Sequence, residues 1–369
     1  MNRQILVVGT EFWSGPLLSK HHIVLELCKQ NRVLYLEPVY HAGSILRGQR
    51  QVMQYPFLYH ELHPAGLQRL RPWWLPKSDR PGLMRRLSET LVRLQARRAM
   101  ARPDLILSFS PDFPFLGQHH PIPFVYFCVD TQVQPNREAE TLSRADLVVA
   151  GTEKLLADFQ GRARQVRFLP HGVSVTLLQT GRDALPPEMA GIPHPIAGFV
   201  GAVSQHIDLP LLLTVARQNP TVSFVLVGPY VAGDFGANLP AEAIARLQAQ
   251  PNLYLLGPKR SDELGRYINQ FDVGLIPYDL AHFRIHFSFH KVLQYLALGK
   301  PVATTVAPPP ELEVPVLWVG TDPAGFNTAL RTALEQAATK ADAAAAFAKQ
   351  HSWQQRVEQL SAWLADTAG

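Results

Sequence analysis

The stretch Phe271-Asp272-Val273-Gly274-Leu275-Ile276-Pro277-Tyr278 leads, across residues 279–287, into Ser288-Phe289-His290-Lys291-Val292-Leu293-Gln294-Tyr295-Leu296-Ala297-Leu298-Gly299-Lys300-Pro301-Val302. Its first part is a short apolar run closed by a proline, as expected of a buried strand that stops where a ladder N–H is lost. Its second part carries helix punctuation at both ends. Ser288 stands where a first turn is capped, Gly299 where the chain leaves the helix, and Pro301 just beyond. With Val302–Thr304 as the next strand this is a βαβ unit, and a parallel sheet follows from it. A helix that starts at the carboxyl end of a parallel strand presents orphan N–H groups and the positive end of its dipole, which suits a diphosphate. Lys291 in the first turn adds a point charge toward the same phosphates. Gln294, about one turn further on the same face, offers a donor and an acceptor to a vicinal diol such as that of ribose.

The same grammar repeats on either side. Toward the N-terminus lie Ile196–Val200, a helix at Leu209–Arg217, Ser223–Val227 and Leu253–Leu256. Before them come Ile5–Val8, a helix at His21–Lys29, then Val33–Leu36, Leu105–Phe109, Phe124–Cys128, Leu147–Ala150 and Val166–Leu169. Strands separated by helices predict parallel βαβ units throughout. The Pro/Gly-rich segment Gly181–Pro195 interrupts the pattern and reads as a linker between two α/β domains. A length of 369 residues fits two domains, and two doubly wound sheets joined by a hinge predict a cleft between their carboxyl ends.

Composition narrows the classes. Hydrophobic residues make up 47% of the chain and charged ones 18%, enough apolar material for packed cores and too little charge for a disordered chain. The longest apolar stretches, such as Ile196–Val203, fall well short of the roughly 18–20 residues of a membrane span. The opening Ile5–Val8 run stops at Gly9 and Glu11, which reads as a first strand rather than a secretory leader and points to the cytoplasm. Cys28 and Cys128 are the only cysteines, so neither a disulfide framework nor a Cys-x-x-Cys metal site is expected.

The net charge of +5 is unevenly spread. Residues 69–102 hold ten basic and two acidic side chains, a local +8, and leave the rest of the chain at −3. Inside this stretch Leu83, Leu87, Leu91 and Leu94 recur at helical spacing with Arg85 and Arg86 beside them, and Trp73 and Trp74 precede them. A basic amphipathic helix with an aromatic anchor suits an anionic membrane surface. The alternative is an ordinary surface helix whose leucines face the core. No nucleic-acid-binding module accompanies the patch, so nucleic acid is not an expected partner.

Several blocks, in order, give the chain a family likeness. The run from Asp272 to Val302 resembles the donor-binding segment of GT-B glycosyltransferases of the family-4 type. Gly198–Ser204 with Asp208-Leu209, Phe224–Pro229 and Asn252–Lys259 are similar to other blocks of that family's C-terminal domain. Phe124–Asp130, Ala145–Thr152 and Leu169–Val173 are similar to its acceptor-side blocks. The resemblance implies the GT-B architecture: an N-terminal acceptor-side domain over residues 1–185, a nucleotide-sugar-binding domain over 186–350, and a C-terminal helix over 351–369 packing back on the first.

It also implies roles. Gly201 lets backbone approach the donor phosphates, Gly257 and Lys259 lie where the nucleotide base packs, and Ser288 and Lys291 meet the diphosphate. Gln294 stands where the family has a ribose-binding Glu, Phe289 where it has Pro, and His286 where it has a second Glu. On the acceptor side Asp130 falls where relatives place an Asp or His near the anomeric carbon, to take the acceptor proton or stabilise charge on the sugar ring; capping of a turn is its other reading. His22, with His21, opens the first helix and is the second catalytic candidate, and His171 matches a turn. No metal-ligand cluster is present in the sequence and no cofactor is expected, since helix dipoles and Lys291 neutralise the leaving diphosphate.

The expectation is therefore transfer of a sugar from a nucleotide-diphosphate sugar to a lipid-linked or glycan acceptor at the inner face of the membrane. The substitutions at Gln294 and His286 leave open a second reading, a GT-B protein that binds sugar nucleotide or protein partners without transfer.

Overall fold

In the computed structural model, residues 3–13, 17–38, 59–62, 66–72, 74–75, 82–118, 122–129, 135–231, 239–281, 289–308, 312–336 and 340–366 are described. Two units emerge, Met1–Pro170 with Trp353–Gly369 and His171–Ser352.

The first unit is built on β1 (Gln4–Val8), β2 (Arg32–Leu36), β3 (Tyr59–Leu62), β4 (Gln68–Arg71), β5 (Leu105–Ser108), β6 (Phe124–Cys128), β7 (Leu147–Ala150) and β8 (Val166–Phe168). They form one sheet in the order β3-β4-β2-β1-β5-β6-β7-β8, parallel except for the antiparallel β3–β4 pair. The second sheet, β9 (Ile196–Val200), β10 (Ser223–Val227), β11 (Leu253–Gly257), β12 (Val273–Ile276), β13 (Val302–Thr304) and β14 (Leu317–Val319), runs β11-β10-β9-β12-β13-β14 and is parallel throughout. Helices in the first unit are α1 (Ser19–Cys28), α2 (Leu83–Ala99), α3 (Pro135–Arg144) and α4 (Glu153–Phe159). In the second they are α5 (Val175–Gln179), α6 (Leu209–Gln218), α7 (Ala241–Gln248), α8 (Leu264–Asn269), α9 (Phe289–Leu296), α10 (Pro323–Gln336) and α11 (Ala341–Gln350). The last helix, α12 (Trp353–Asp366), returns to the first unit.

Both faces of each sheet are covered, which is why the strands read as continuous apolar runs rather than as alternation. Ile5 and Val7 of β1 enter one core with Ile23, Val24 and Leu27 of α1, while Leu6 and Val8 enter the other with Val92 and Ala96 of α2. Trp353, Val357, Leu360 and Leu364 of α12 recur at helical spacing and complete the α1 side. In the second unit Asp208 caps α6 by accepting from Leu211 N at 2.9 Å, so that helix starts where its sequence signal stands.

The boundary between units lies at Pro170/His171 rather than after residue 185. Val173, Leu178, Met189 and Ile192 bury their side chains with Ile196 and Ile268, so the segment expected to be a linker is a packed part of the second unit. Its Pro and Gly content marks turns, not slack chain.

Strands β3, β4 and β14 carried no usable signal. β4 reads Gln-Arg-Leu-Arg, yet Arg71 meets the buried carboxylate of Glu37 through Nε at 3.1 Å and Nη2 at 2.8 Å, and Arg69 approaches it at 3.7 Å. Two of the ten basic residues of the charged stretch are thus held against one internal anion.

α2 also corrects the reading of its leucines as a core stripe. Leu83, Leu87 and Leu94 are 72%, 47% and 60% exposed, while Ser88, Val92 and Ala96 form the buried face. No helix among the described residues is long and apolar enough to cross a membrane.

Glu37 carries the first test. Glu37→Gln leaves two arginines beside a neutral amide in the interior, so stability should fall by about 3–5 kcal/mol, read as a lower urea midpoint at unchanged slope. A midpoint equal to wild type would show that the pair adds nothing to the fold.

Candidate functional site

The order of the second sheet reverses between β9 and β12, and there the ladder is short: only Val273 with Ala197 and Gly274 with Gly198 pair. Beyond that point Tyr295 Oη fills the gap, accepting from Val200 N at 3.0 Å and donating to Leu275 O at 3.2 Å. Lys291, one turn earlier on α9, donates from Nζ to Val200 O at 2.9 Å. One helix therefore holds both the N–H and the C=O of the last residue of β9. Strand ends separated in this way form the crevice where open α/β sheets take ligands.

The neighbouring loops close around the same point. Gly201 N donates to Val227 O and Gly228 N to Gly257 O, each at 2.9 Å. Gly201 has φ +138°, and a Cβ there would lie 2.3 Å from Lys291 Nζ. Gly228 has φ +152°, and its Cβ would fall 2.0 Å from Gly201 O. Both positions demand glycine twice over, by backbone conformation and by space. The lysine ammonium occupies the place of Gly201's missing side chain.

Lys291 is desolvated there, which pushes its pKa down to about 8. Its Nζ stands 5.3 Å from the centre of the Phe199 ring, and its acceptor is a carbonyl rather than a carboxylate. An ammonium has three N–H donors, so this arrangement keeps a positive charge and spare donors at the strand ends. Gln294 lies three residues on, half-buried on the same side of α9. His290, next to Lys291, places its ring 6.3 Å from that of His171.

Not every candidate joins this group. Lys259 Nζ pairs with Glu188 Oε1 at 2.6 Å and sits 5.4 Å from the centre of the Tyr267 ring, whose hydroxyl also donates to Glu188 at 2.9 Å. These bonds hold the Glu188 carboxyl well below the usual range, at about 2. The charge of Lys259 is thus matched locally, beside a depression of about 420 Å³ that Pro258, Arg260 and Tyr267 help to line. Ser288, His286, Asp130 and Trp73 lie outside the described residues, as does the side chain of Phe289.

In the first unit His22 stacks on Trp353, with ring centres 6.4 Å apart and planes 10° from parallel. His21 is buried against Trp13, and its Nδ1 accepts from Leu18 N at 3.0 Å. Burial pushes both imidazoles down to about 4, so both are neutral near pH 7. His22 is therefore a neutral hydrogen-bonding group and a poor base.

The membrane candidates separate as well. Trp74 is half-buried, edge-on to Phe113 at 6.1 Å, and packs on the core instead of reaching outward. Arg85 is bound to Glu89 at 2.9 Å and lies 3.7 Å from Glu140, whereas Arg86 is exposed.

Gly228, Tyr295 and Glu188 were missed as site residues. Gly228 had a legible signal, because it follows the apolar run of β10 as Gly201 follows that of β9. Tyr295 reads as core, and its hydroxyl bridge between two strands leaves no trace in spacing. Among the described residues no group of three or more His, Cys, Asp or Glu could hold a metal ion.

The contact between Gly201 and Lys291 is testable as a coupling. Gly201→Ala alone should lose about 1–3 kcal/mol of stability through strained backbone and a displaced ammonium. In a Lys291→Ala background the same change should cost less by about 0.5 kcal/mol or more, since the clashing group is gone. Additive losses would place Lys291 away from Gly201 in solution.

No protein-family model matches the chain. A putative teichuronic acid biosynthesis glycosyltransferase, TuaH of Bacillus subtilis (strain 168), is 24% identical over 184 residues, a match that takes in 48% of this chain and spans 44% of that protein. Among solved structures, Anabaena Alr3699/HepE in complex with UDP-glucose superposes with a TM-score of 0.67 at 16% identity, covering 99% of this chain and 100% of that one. An α,α-trehalose-phosphate synthase (UDP-forming) from Burkholderia xenovorans, in complex with glucose-6-phosphate, gives 0.69 at 13% identity with both chains covered to 100%. A glycosyltransferase from Rickettsia africae gives 0.71 at 11% identity, covering 99% and 98%. Two doubly wound sheets in this order give the chain the GT-B fold of these proteins.

Proposed function

We propose that this chain is a glycosyltransferase that takes a nucleotide-diphosphate sugar as donor and a lipid-linked or glycan acceptor. The observation that carries this reading is the ammonium of Lys291, desolvated at the end of β9 above Gly201 and facing a neutral carbonyl. When the bond from the anomeric carbon to the diphosphate oxygen breaks, negative charge grows on the leaving group. A fixed cation with little water around it stabilises that charge more than it stabilises the intact donor. Gln294 is assigned to the ribose or sugar hydroxyls, and Gly257 leaves room for the base. Asp130 is assigned to the acceptor proton, and His22, neutral, to a hydrogen bond with the acceptor. UDP-glucose in the HepE complex makes a UDP-sugar the first donor to try.

The acceptor's setting is read from α2. Its outer face carries Leu83, Leu87 and Leu94, with exposed Arg86 and Arg98 alongside. Exposed leucines flanked by arginines fit the headgroup layer of an anionic leaflet, each arginine contributing about 1 kcal/mol near the surface. We assign the protein to the cytoplasmic face of a membrane on that ground.

Calorimetry with UDP tests the donor site. Lys291→Ala should weaken binding by about 1.5–3 kcal/mol, the range of a charge-assisted hydrogen bond. Between about pH 7 and 8 the wild-type ammonium and the terminal phosphate of UDP, whose second pKa is about 6, both stay largely charged and affinity should be flat. Above about pH 8 the free protein loses that proton, and affinity should fall by up to about tenfold per pH unit, a slope absent in Lys291→Ala. Unchanged affinity in the variant would remove Lys291 from the site. Nucleotide release from a panel of UDP-, GDP- and dTDP-sugars separates transfer from binding without turnover.

Vesicle flotation tests the membrane face. Binding should require acidic lipid, fall with salt and be lost in Leu87→Glu/Leu94→Glu at an unchanged melting temperature. Equal flotation with neutral vesicles would contradict the assignment.

A further inference from the structure

A cavity of about 1010 Å³ opens in the first unit at the amino ends of β1, β5, β6 and β7. This is the opposite edge of the sheet from the start of α1, where His22 stands. It belongs to none of the groups described above, and its lining divides sharply by chemistry.

Four arginines surround it: Arg3, Arg93, Arg97 and Arg102. Arg97 and Arg102 are exposed and Arg3 half-exposed, and none of these three forms an ion pair with a carboxylate among the described residues. Arg93 lies deeper, donating to Phe115 O at 3.1 Å with its guanidinium 5.3 Å from the centre of the Phe115 ring. Two acids share the rim, and both are engaged. Asp104 accepts from Gln4 N at 2.7 Å. Asp146 accepts from Phe124 N at 2.9 Å and meets Arg164 at 3.4 Å. Beneath the charges the wall is apolar: Leu6, Met100, Ile106, Leu116 and Leu364 are all buried, and Ile122 is half-buried.

The two halves of this lining select an occupant together. A free phosphate, nucleotide or sugar phosphate satisfies the arginines and leaves the apolar wall against water. A neutral lipid covers the wall and leaves the guanidinium groups, which outnumber the two rim carboxylates, without a matching anion as they lose water, which is costly. An anion carrying an aliphatic chain satisfies both, and the volume is ample for such a molecule. We propose that this cavity binds a phosphate-headed amphiphile, with the phosphate at Arg97 and Arg102 and the chain against Met100, Leu116 and Leu364.

The assignment does not rest on glycosyl transfer. It also differs from docking of the outer face of α2, because that helix turns Arg93, Ala96, Arg97 and Met100 to the cavity while Leu83, Leu87 and Leu94 point to solvent. Membrane phospholipids and lipid-phosphate acceptors share this chemistry, and an occupant here lies on the sheet edge away from the acceptor-side candidates. It therefore acts as an anchor and takes no part in bond making.

Calorimetry on the full chain, with monomeric ligands, tests this. Decanoyl lysophosphatidic acid should bind, whereas glycerol phosphate, which lacks the chain, and monodecanoylglycerol, which lacks the phosphate, should each bind at least about tenfold more weakly. Decyl phosphate, lacking the glycerol, tells the sources apart: affinity equal to that of the lysophospholipid shows that phosphate and chain suffice, and a lower one favours a glycerolipid. Arg97→Gln/Arg102→Gln should cut lysophosphatidic acid binding by about tenfold or more, since charge-assisted contacts are lost. Met100→Trp, checked for an unchanged melting transition, should block it by filling the cavity. Leu87→Glu/Leu94→Glu should leave it intact, and UDP affinity should be the same with and without the amphiphile. Equal binding of glycerol phosphate, full affinity in the arginine variant, or loss in Leu87→Glu/Leu94→Glu would each overturn the proposal. Failure of UDP binding alone would leave it standing and count only against the donor site.

Discussion

Val200 gives both of its peptide groups to side chains of one helix, its N–H to Tyr295 and its C=O to Lys291. A strand that ends mid-sheet normally hands these groups to a neighbouring ladder or to water. Here the neighbour has already diverged, because the β9–β12 pairing stops at Gly274 and Gly198. A buried peptide left without partners costs about 1–3 kcal/mol per group, so the split at the switch point is tolerable only with α9 in this position. The position of α9 then dictates much of what surrounds it. Lys291 must enter the strand-end region, Gly201 must lack a side chain, and Gly228 must give way to the carbonyl of Gly201. The features that make the site look built for a diphosphate are consequences of closing one gap in a parallel sheet.

Charge is handled by two different means. Where a carboxylate is available the cation is neutralised beside it: Lys20 by Glu11 at 2.9 Å, Arg69 and Arg71 by Glu37 and, at the surface, Lys259 by Glu188. Lys291 is the contrasting case, a desolvated ammonium set against a carbonyl, and its lowered pKa records that difference. Among the described residues the basic side chains of 69–102 accordingly divide among two arginines of β4 on an internal anion, an ion pair on α2, a solvent-facing helix surface and the rim of a cavity. Summed charge over a sequence window describes none of these separately.

Legibility followed the number of independent physical signals at each place. Most strands of both sheets were readable because burial on two faces forces unbroken apolar runs, and α6 because Asp208 and Pro210 mark its start. Gly201 and Lys291 enter one group through the family resemblance, and the structure sets the Lys291 ammonium against Gly201. β4 was not, because its arginines are made tolerable by a residue more than thirty positions away, and no local pattern holds that information. The boundary at residue 185 failed for a related reason: turn-forming residues in 181–195 mark bends, and only the apolar contacts of Leu178, Met189 and Ile192 reveal which core the segment joins. The resemblance sets Lys259 beside the donor's base, and no local pattern shows that Glu188, distant in sequence, pairs with it.

α2 shows how a correct periodicity still leaves the direction of a face undetermined. A leucine stripe at helical spacing predicts one buried side, and the natural choice is the leucines themselves. The observed buried face is instead the small set Ser88, Val92 and Ala96, with Ser88 Oγ accepting from Leu75 N at 3.0 Å. Small side chains let the helix axis approach the sheet closely, and Arg93 and Met100 then reach past it into the cavity beyond. Turning the helix to bury Leu83, Leu87 and Leu94 would gain about 1.5–3 kcal/mol for each fully covered leucine. The same rotation would carry Ser88 away from Leu75 and take Arg93 from the carbonyl of Phe115. The fold keeps these polar contacts and leaves the leucines outside, so two surfaces of different chemistry stand back to back on a single helix.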